Sequence, residues 1–155
     1  MGKLNVSYNK TLKLSNALIM DLYPKDFEFI DKKVEIMQNY IKIKKKKPVG
    51  PIIQHTYFEK NDSGEVNVKV NIIIQTDSLI ENTEEPYKSE PIIYVKNCLY
   101  VRFTGNEEQL NFAYDKLNLT AFEEDIKLKG DSYTVFLKQE PDYVIADVFM
   151  EKKDE

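Results

Sequence analysis

Asn16-Ala17-Leu18-Ile19-Met20-Asp21-Leu22-Tyr23 and Asn97-Cys98-Leu99-Tyr100-Val101-Arg102-Phe103-Thr104 open on the same residue, 97 − 16 = 81 positions apart. Both read as strands. Each leads into a helical pattern, then a glycine (Gly50, Gly130), then two strand-like runs, and the two glycines are 130 − 50 = 80 apart. A register kept to within one residue over such a length reads as an internal duplication. A duplicated unit of this size implies a pseudo-twofold domain, and the seam between its halves is a natural place for a ligand cleft.

Around the first stretch, Lys3 to Tyr8 alternates, with Leu4, Val6 and Tyr8 on one side, and reads as a short strand. Asn9 to Lys13 reads as a turn or as its continuation. Tyr23-Pro24 closes the strand Asn16 to Leu22, because proline disfavours further pairing. Asp26 is placed to cap a helix on which Phe27, Ile30, Val34, Met37 and Ile41 recur at spacings of three and four. Lysines crowd its end, where they complement the helix dipole, and Pro48 with Gly50-Pro51 turns the chain. Ile52 to Phe58, the turn signal Asn61-Asp62-Ser63-Gly64 and the alternating run Val66 to Ile72 make a hairpin. Thr76 to Ser89 reads as a polar, acidic linker.

The second stretch is preceded by a strand-like run, Pro91 to Val95. Gly105 breaks the pattern, Asn106 caps a second helix with Gln109 at the capping-box position, and Leu110, Ala113, Tyr114 and Leu117 form its apolar stripe. Ser132 to Leu137 and Tyr143 to Met150 are the last two strands. The expected fold is α+β: duplicated βαββ units forming one antiparallel sheet with two helices on one face, related by a pseudo-twofold. It spans a single domain, with repeat one at about 14–75, a linker at about 76–89 and repeat two at about 90–150. The helix-free face is left as a concave surface in need of a ligand, a partner or a polar coat.

The bulk numbers narrow the function. A net charge of −4 and a pI near 5.2 argue against direct nucleic-acid binding, which leaves a basic footprint. No apolar run is long enough for a transmembrane helix, and the start lacks the apolar region of a signal peptide. The one cysteine, Cys98, cannot form an internal disulfide, so a reducing cytoplasm is the expected setting. Ten tyrosines exceed what a core of this size needs, because each buried hydroxyl must find a partner. Some are expected to line a surface or a pocket.

Few residues suggest chemistry. His55 is the only histidine and has no Cys or Ser motif near it, so neither a metal site nor a nucleophilic triad is expected. Cys98 opens an apolar strand and reads as an inert buried thiol. The run Lys44 to Lys47 reads as a solvated helix end, and Glu84-Glu85, Glu107-Glu108 and Glu123-Glu124-Asp125 as solvated carboxylates. No glycine-rich phosphate loop occurs, and no cofactor is expected. Tyr57, Tyr94, Tyr100, Tyr133 and Phe136 are the better candidates: they sit on strands, and planar aromatic walls hold flat lipophilic ligands by stacking and area burial.

Several stretches resemble the GyrI-like family of small-molecule-binding domains, which occur alone and fused to multidrug-sensing transcription regulators. Leu99-Tyr100-Val101-Arg102-Phe103-Thr104-Gly105, followed by the helix Leu110 to Leu117 with Tyr114 on its inner face, looks like the family's strand, glycine and helix. Gly130-Asp131-Ser132-Tyr133-Thr134-Val135-Phe136-Leu137 looks like its glycine and aromatic strand, Asp147-Val148-Phe149-Met150 like its closing strand, and Pro48-Val49-Gly50-Pro51 like its Gly-Pro turn. The resemblance, to a stand-alone bacterial branch, covers nearly the whole chain on short, degenerate motifs. It implies a ligand cleft at the seam and recognition of lipophilic, often cationic, compounds by aromatics and a buried glutamate.

The chain departs from that pattern at one place. The glutamate position falls on Thr134, and its counterpart four residues after Gly50 is Gln54; both are neutral. The departure weakens the cation specificity, and the hydrolase activity, that the resemblance implies. The expected function is a non-catalytic module binding a lipophilic or aromatic small molecule between the repeats, regulatory or multidrug-binding. The residues expected to line its site are Gln54, Tyr57, Tyr94, Tyr100, Tyr133, Thr134 and Phe136. The alternative is a protein-interaction module using the same concave face, or an edge strand, to dock a partner chain.

Overall fold

The computed structural model describes residues 4–154. In chain order the elements are β1 (Ser7–Leu22), a 3-10 turn (Pro24–Phe29), α1 (Ile30–Ile43), β2 (Pro48–Lys60), β3 (Val66–Thr76), β4 (Tyr87–Gly105), a 3-10 turn (Glu107–Gln109), α2 (Asn111–Glu123), β5 (Ser132–Glu140) and β6 (Tyr143–Glu151). Two compact units result. The first repeat runs over Lys13–Ile93; the second takes Tyr94 onward together with the residues up to Leu12. The chain passes from one to the other inside β1 and inside β4.

Each repeat follows the order strand, 3-10 turn, helix, strand, strand. The duplication is also written in the backbone. Asn16 and Asn97 both take left-handed φ values, 51° and 58°. Lys45 and Asp125, 125 − 45 = 80 apart, take 62° and 57°, and Gly50 and Gly130 take 81° and 103°. Lys45 and Asp125 do the same work: each ends its helix in the left-handed conformation that lets a later amide reach back. The Lys46 amide donates to the Ile41 carbonyl at 3.1 Å, and the Ile126 amide to the Ala121 carbonyl at 2.8 Å.

In the first repeat β1 and β2 both pair antiparallel with β3. One face of these strands, carrying Leu18, Met20, Leu22, Val70, Ile72 and Ile74, closes on Met37 and Ile41 of α1, with Ile30 and Val34 alongside. In the second repeat β4 and β5 pair antiparallel with β6. Leu99, Val101, Phe103, Val148 and Met150 close on Ala113, Leu117 and Ala121 of α2. Most of these side chains are fully buried, and each such aliphatic or aromatic group contributes about 1.5–3 kcal/mol of transfer free energy.

Of the two readings of residues 9–13, a turn or a continuation of the strand, the continuation holds: Leu12 and Leu14 are both buried at alternate positions, and β1 runs over 16 residues. Four details correct the reading of the sequence. Of the strand expected from Lys3, Lys3 lies outside the described residues, and Leu4 and Val6 instead pack against the α2 core. The two strands expected around Asn97 are one 19-residue strand, because the left-handed Asn97 absorbs the irregularity without ending it. Pro48-Val49-Gly50-Pro51 lies inside β2, where the register with β3 shifts between Val49 and Ile53. The linker is short, because Thr76 ends β3 and Tyr87 begins β4. It is also anchored: Ile80 is buried in the α1 core, and Tyr40 and Lys44 of α1 both bond to the Glu84 carboxylate.

The helix starts are made differently from one another. Asp26 sits in the 3-10 turn, so α1 begins at Ile30 and Phe27 lies off it, partly exposed. The Asp26 carboxylate accepts the Tyr23 amide at 3.0 Å and pairs with Lys33 at 3.5 Å. Asn106 accepts the Glu108 amide at 2.9 Å, and Gln109 is part of the turn.

Candidate ligand-binding face

Strand pairing places residues in rows across each repeat. On the helix side, Met20, Ile72 and Gln54 form one row of the first repeat, and Val101, Val148 and Thr134 the matching row of the second. On the side away from the helix, Ile19, Ile73 and Ile53 are matched by Tyr100, Phe149 and Tyr133. The next row is Asp21, Asn71 and His55 in the first repeat and Arg102, Asp147 and Val135 in the second. Directly opposed residues share a face of the sheet and touch.

The aromatic row is the most distinctive surface of the second repeat. The Tyr100 and Phe149 rings lie 4.9 Å apart at 45°, a tilted pair. Phe149 is buried, and Tyr100 and Tyr133 are half-buried. Beside the row, Asp147 is 9% exposed and accepts three hydrogen bonds. Tyr100 Oη donates to Oδ1 at 2.8 Å, Arg102 Nε to Oδ1 at 2.8 Å and Arg102 Nη2 to Oδ2 at 3.1 Å. The fork of arginine against both carboxylate oxygens fixes the guanidinium plane. The Lys10 ammonium stands 6.0 Å from the Tyr100 ring centre. Burial, then the bond to Asp147 and its charge, push the Tyr100 phenol above its ordinary value; burial, then Asp131 and Glu151, do so for Tyr133. Both phenols are therefore neutral donors at physiological pH.

The corresponding place in the first repeat is polar without being aromatic in the same sense. Asn71 Nδ2 donates to Asp21 Oδ1 at 2.8 Å, and Asn71 Oδ1 lies 3.2 Å from His55 Nδ1. His55 stacks on Tyr57 with centres 4.9 Å apart at 21°. Burial, then the charges of Asp21 and Glu59, raise the Tyr57 phenol.

The expected site residues are thus divided. Tyr100 and Tyr133 come together on the helix-free face of the second repeat. Thr134 and Phe136 face the other way: Thr134 opposes Val148, Phe136 opposes Ala146, and the Thr134 hydroxyl bonds to Tyr114 of α2. Gln54, opposite Ile72, likewise points to the helix side and donates to Thr56 Oγ1 at 3.3 Å. Tyr57 belongs to the first repeat. Tyr94 is 53% exposed, with the Lys96 ammonium 4.7 Å from its ring centre. Phe149, Asp147, Arg102 and Lys10 were not anticipated as part of a site. The alternation Ile145, Asp147, Phe149 along β6 carried the signal, but only the strand pairing shows what lies opposite.

Other reactive groups are quiet. Burial pushes the Cys98 thiol up to about 12, so it is not a thiolate at neutral pH. Among the described residues no group of three or more His, Cys, Asp or Glu is placed to hold a metal ion, and no helix is long and apolar enough to cross a membrane. A cavity of about 730 Å³ in the second repeat is lined by Asn97, Asp125, Ile126, Lys127, Lys152, Lys153 and Asp154. Its charged walls suit water better than a lipophilic ligand, so the aromatic row is the stronger candidate.

With this geometry in hand, the chain can be set beside known proteins. No protein-family model matches it, and no curated protein matches its sequence. Solved structures share its fold. EcmrR, seen by cryo-electron microscopy in complex with DNA, superposes with a TM-score of 0.70 at 14% identity over 99% of this chain, which spans 58% of the length of EcmrR. A hydrolase of Listeria innocua gives a TM-score of 0.54 at 10% identity, covering 97% of this chain and 92% of the other. SAV2435, in its structure bound to tetraphenylphosphonium, gives 0.52 at 8% identity, covering 98% and 94%. At such identities the likeness is one of fold: α+β, with antiparallel strands and two helices.

Proposed function

We propose that this chain is a small-molecule-binding module of the GyrI-like kind, and that its ligand lies on the helix-free face of the second repeat, against Tyr100 and Tyr133. The observation that carries this reading is the row Tyr100–Phe149–Tyr133 beside the Arg102–Asp147 pair. A core needs no three-strand aromatic row flanked by a part-buried ion pair; the matching row of the first repeat does the same packing with three isoleucines. The fold shared with SAV2435, whose structure holds a lipophilic aromatic compound, supports the reading. The rings of Tyr100 and Tyr133 offer flat apolar area beside polar groups, the combination typical of ligand sites. No chemistry is assigned to the site: its carboxylate is held by arginine and its phenols are not nucleophiles.

The test is a thermal-shift screen of the purified chain with planar aromatic compounds of varied charge. Binding raises the melting temperature by mass action, by about 2.7 kcal/mol of stability at a hundredfold excess over Kd. Tyr133→Ala is expected to reduce the shift. A diverse panel at millimolar concentration that leaves the melting temperature unmoved would refute the proposal.

A further inference from the structure

We infer that the outer face of α2 is a self-docking surface, on which a second copy of this chain packs its own α2 antiparallel about a twofold axis.

The helix α2 is apolar on two sides. Its inner side, Ala113, Leu117 and Ala121, is buried in the core of the second repeat. Its outer side carries Phe112, Leu119 and Phe122, exposed by 42%, 53% and 84%. Spacings of seven and three keep these residues on one face of the helix. A helix apolar on both sides is ordinarily a covered one, and clustered exposed apolar groups mark interaction sites. The first repeat shows that packing a helix on its own sheet needs no such stripe. At the matching positions, 80 residues earlier, α1 carries Lys32, Asn39 and Lys42.

The charges beside the stripe select the occupant. Lys116 and Glu123 are exposed along one flank of it, seven residues apart. That is about 10 Å along the axis, too far to pair within the helix. A twofold perpendicular to α2, passing between Leu119 and Thr120, keeps this flank on the same side in both copies. It sets Lys116 against Glu123 of the second copy, and Glu123 against Lys116 of the second copy. Leu119 then meets its own equivalent across the axis, with Phe122 beside it. At the positions of Lys116 and Glu123, α1 carries exposed Ile36 and Ile43, which offer no reciprocal pair. Asp115 lies on the opposite flank, next to Phe122, and stays at the solvated rim. The residues Leu4 to Tyr8 run past the Lys116 flank, where Tyr8 donates to Glu124, and leave Lys116 and Glu123 exposed. An isologous contact of this kind closes at two copies. A 13-residue helix is about 20 Å long and buries less than the roughly 800 Å² per partner of a standard interface, so the dimer is a weak one.

The experiment is sedimentation velocity of the full chain over a concentration series reaching about 500 µM, the regime of such small interfaces. A monomer–dimer equilibrium is expected. Leu119→Glu, at an exposed position, should leave the melting temperature nearly unchanged and abolish the dimer. Lys116→Glu and Glu123→Lys should each weaken the dimer about tenfold, because each sets like charges together twice. An equimolar mixture of those two variants should recover the affinity of the unaltered chain, since every contact between them again joins a lysine to a glutamate. A chain that stays monomeric throughout the series overturns the inference. So does a dimer that ignores Leu119→Glu, or a pair of charge variants that fail to complement each other; the stripe then serves a different partner or none.

Discussion

The two repeats agree on one side and disagree on the other. Toward the helices, Met20–Ile72–Gln54 and Val101–Val148–Thr134 occupy the same rows and serve the same packing. Away from the helices, three isoleucines of the first repeat correspond to three aromatics of the second, and an Asp–Asn–His chain corresponds to an Arg–Asp fork. Packing against a helix constrains volume and polarity tightly, so duplicated copies stay alike there. The helix-free side is where one copy could take on a ligand while the other kept a row of buried isoleucines. A site in such a duplicated fold is found by asking where the copies stop matching.

The comparison can be broken at its strongest point first. Met37→Ala and Leu117→Ala each remove a fully buried side chain from the helix-side core and should each cost about 2–5 kcal/mol in urea unfolding. Costs that differ by more than this range would mean that the two cores are not equivalent. Next is the split in binding. Tyr133→Ala should weaken an aromatic ligand by about tenfold or more, roughly 1.4 kcal/mol. Thr134→Val, one residue along, should cost about 1 kcal/mol of stability by loss of its bond to Tyr114, with ligand affinity unchanged. Equal effects of the two substitutions on affinity would erase the distinction between the faces. Binding should also be flat between about pH 6 and 9, because both phenols of the site are pushed above their ordinary value of 10.0.

The smallest effect concerns the helix starts. The Tyr23 amide, aided by Lys33, holds the Asp26 carboxyl below its ordinary value of 3.8. A carboxyl lowered in the folded state contributes stability above its unfolded value, and that contribution is lost as pH falls through the folded value. Asp26→Asn should therefore flatten part of the acid limb of a stability–pH curve below about pH 4. The second repeat, capped by neutral Asn106, has no matching dependence at that position. An unchanged acid limb in the variant would show that the cap carries no such linkage.

Much of the fold was legible because its signals are periodic. The stripes Ile30–Val34–Met37–Ile41 and Leu110–Ala113–Leu117 locate both helices and their buried sides. The repeat itself was legible from Asn16 and Asn97, which the structure shows in the same left-handed conformation. Breaks in the long strands were misread, since a left-handed asparagine inside a strand looks in sequence like a turn. The site was half legible for a related reason. Tyr133 and Thr134 are neighbours in sequence, and a strand sends neighbours to opposite faces. Treating both as one site required them to point the same way. Phe149 and Asp147 complete the face from another strand, and only the pairing of Asp147 with Arg102 and of Phe149 with Tyr100 and Tyr133 brings them in.

The most direct test of the central claim is an amide-resolved NMR titration of the chain with a planar aromatic ligand found in the screen. The amides of Tyr100, Arg102, Tyr133, Asp147 and Phe149 should shift most, with those of Ile19, Ile53 and Ile73 moving little. Shifts centred on the isoleucine row, or on Thr134 and Tyr114 at the helix side, would contradict the assignment of the ligand to the aromatic face of the second repeat.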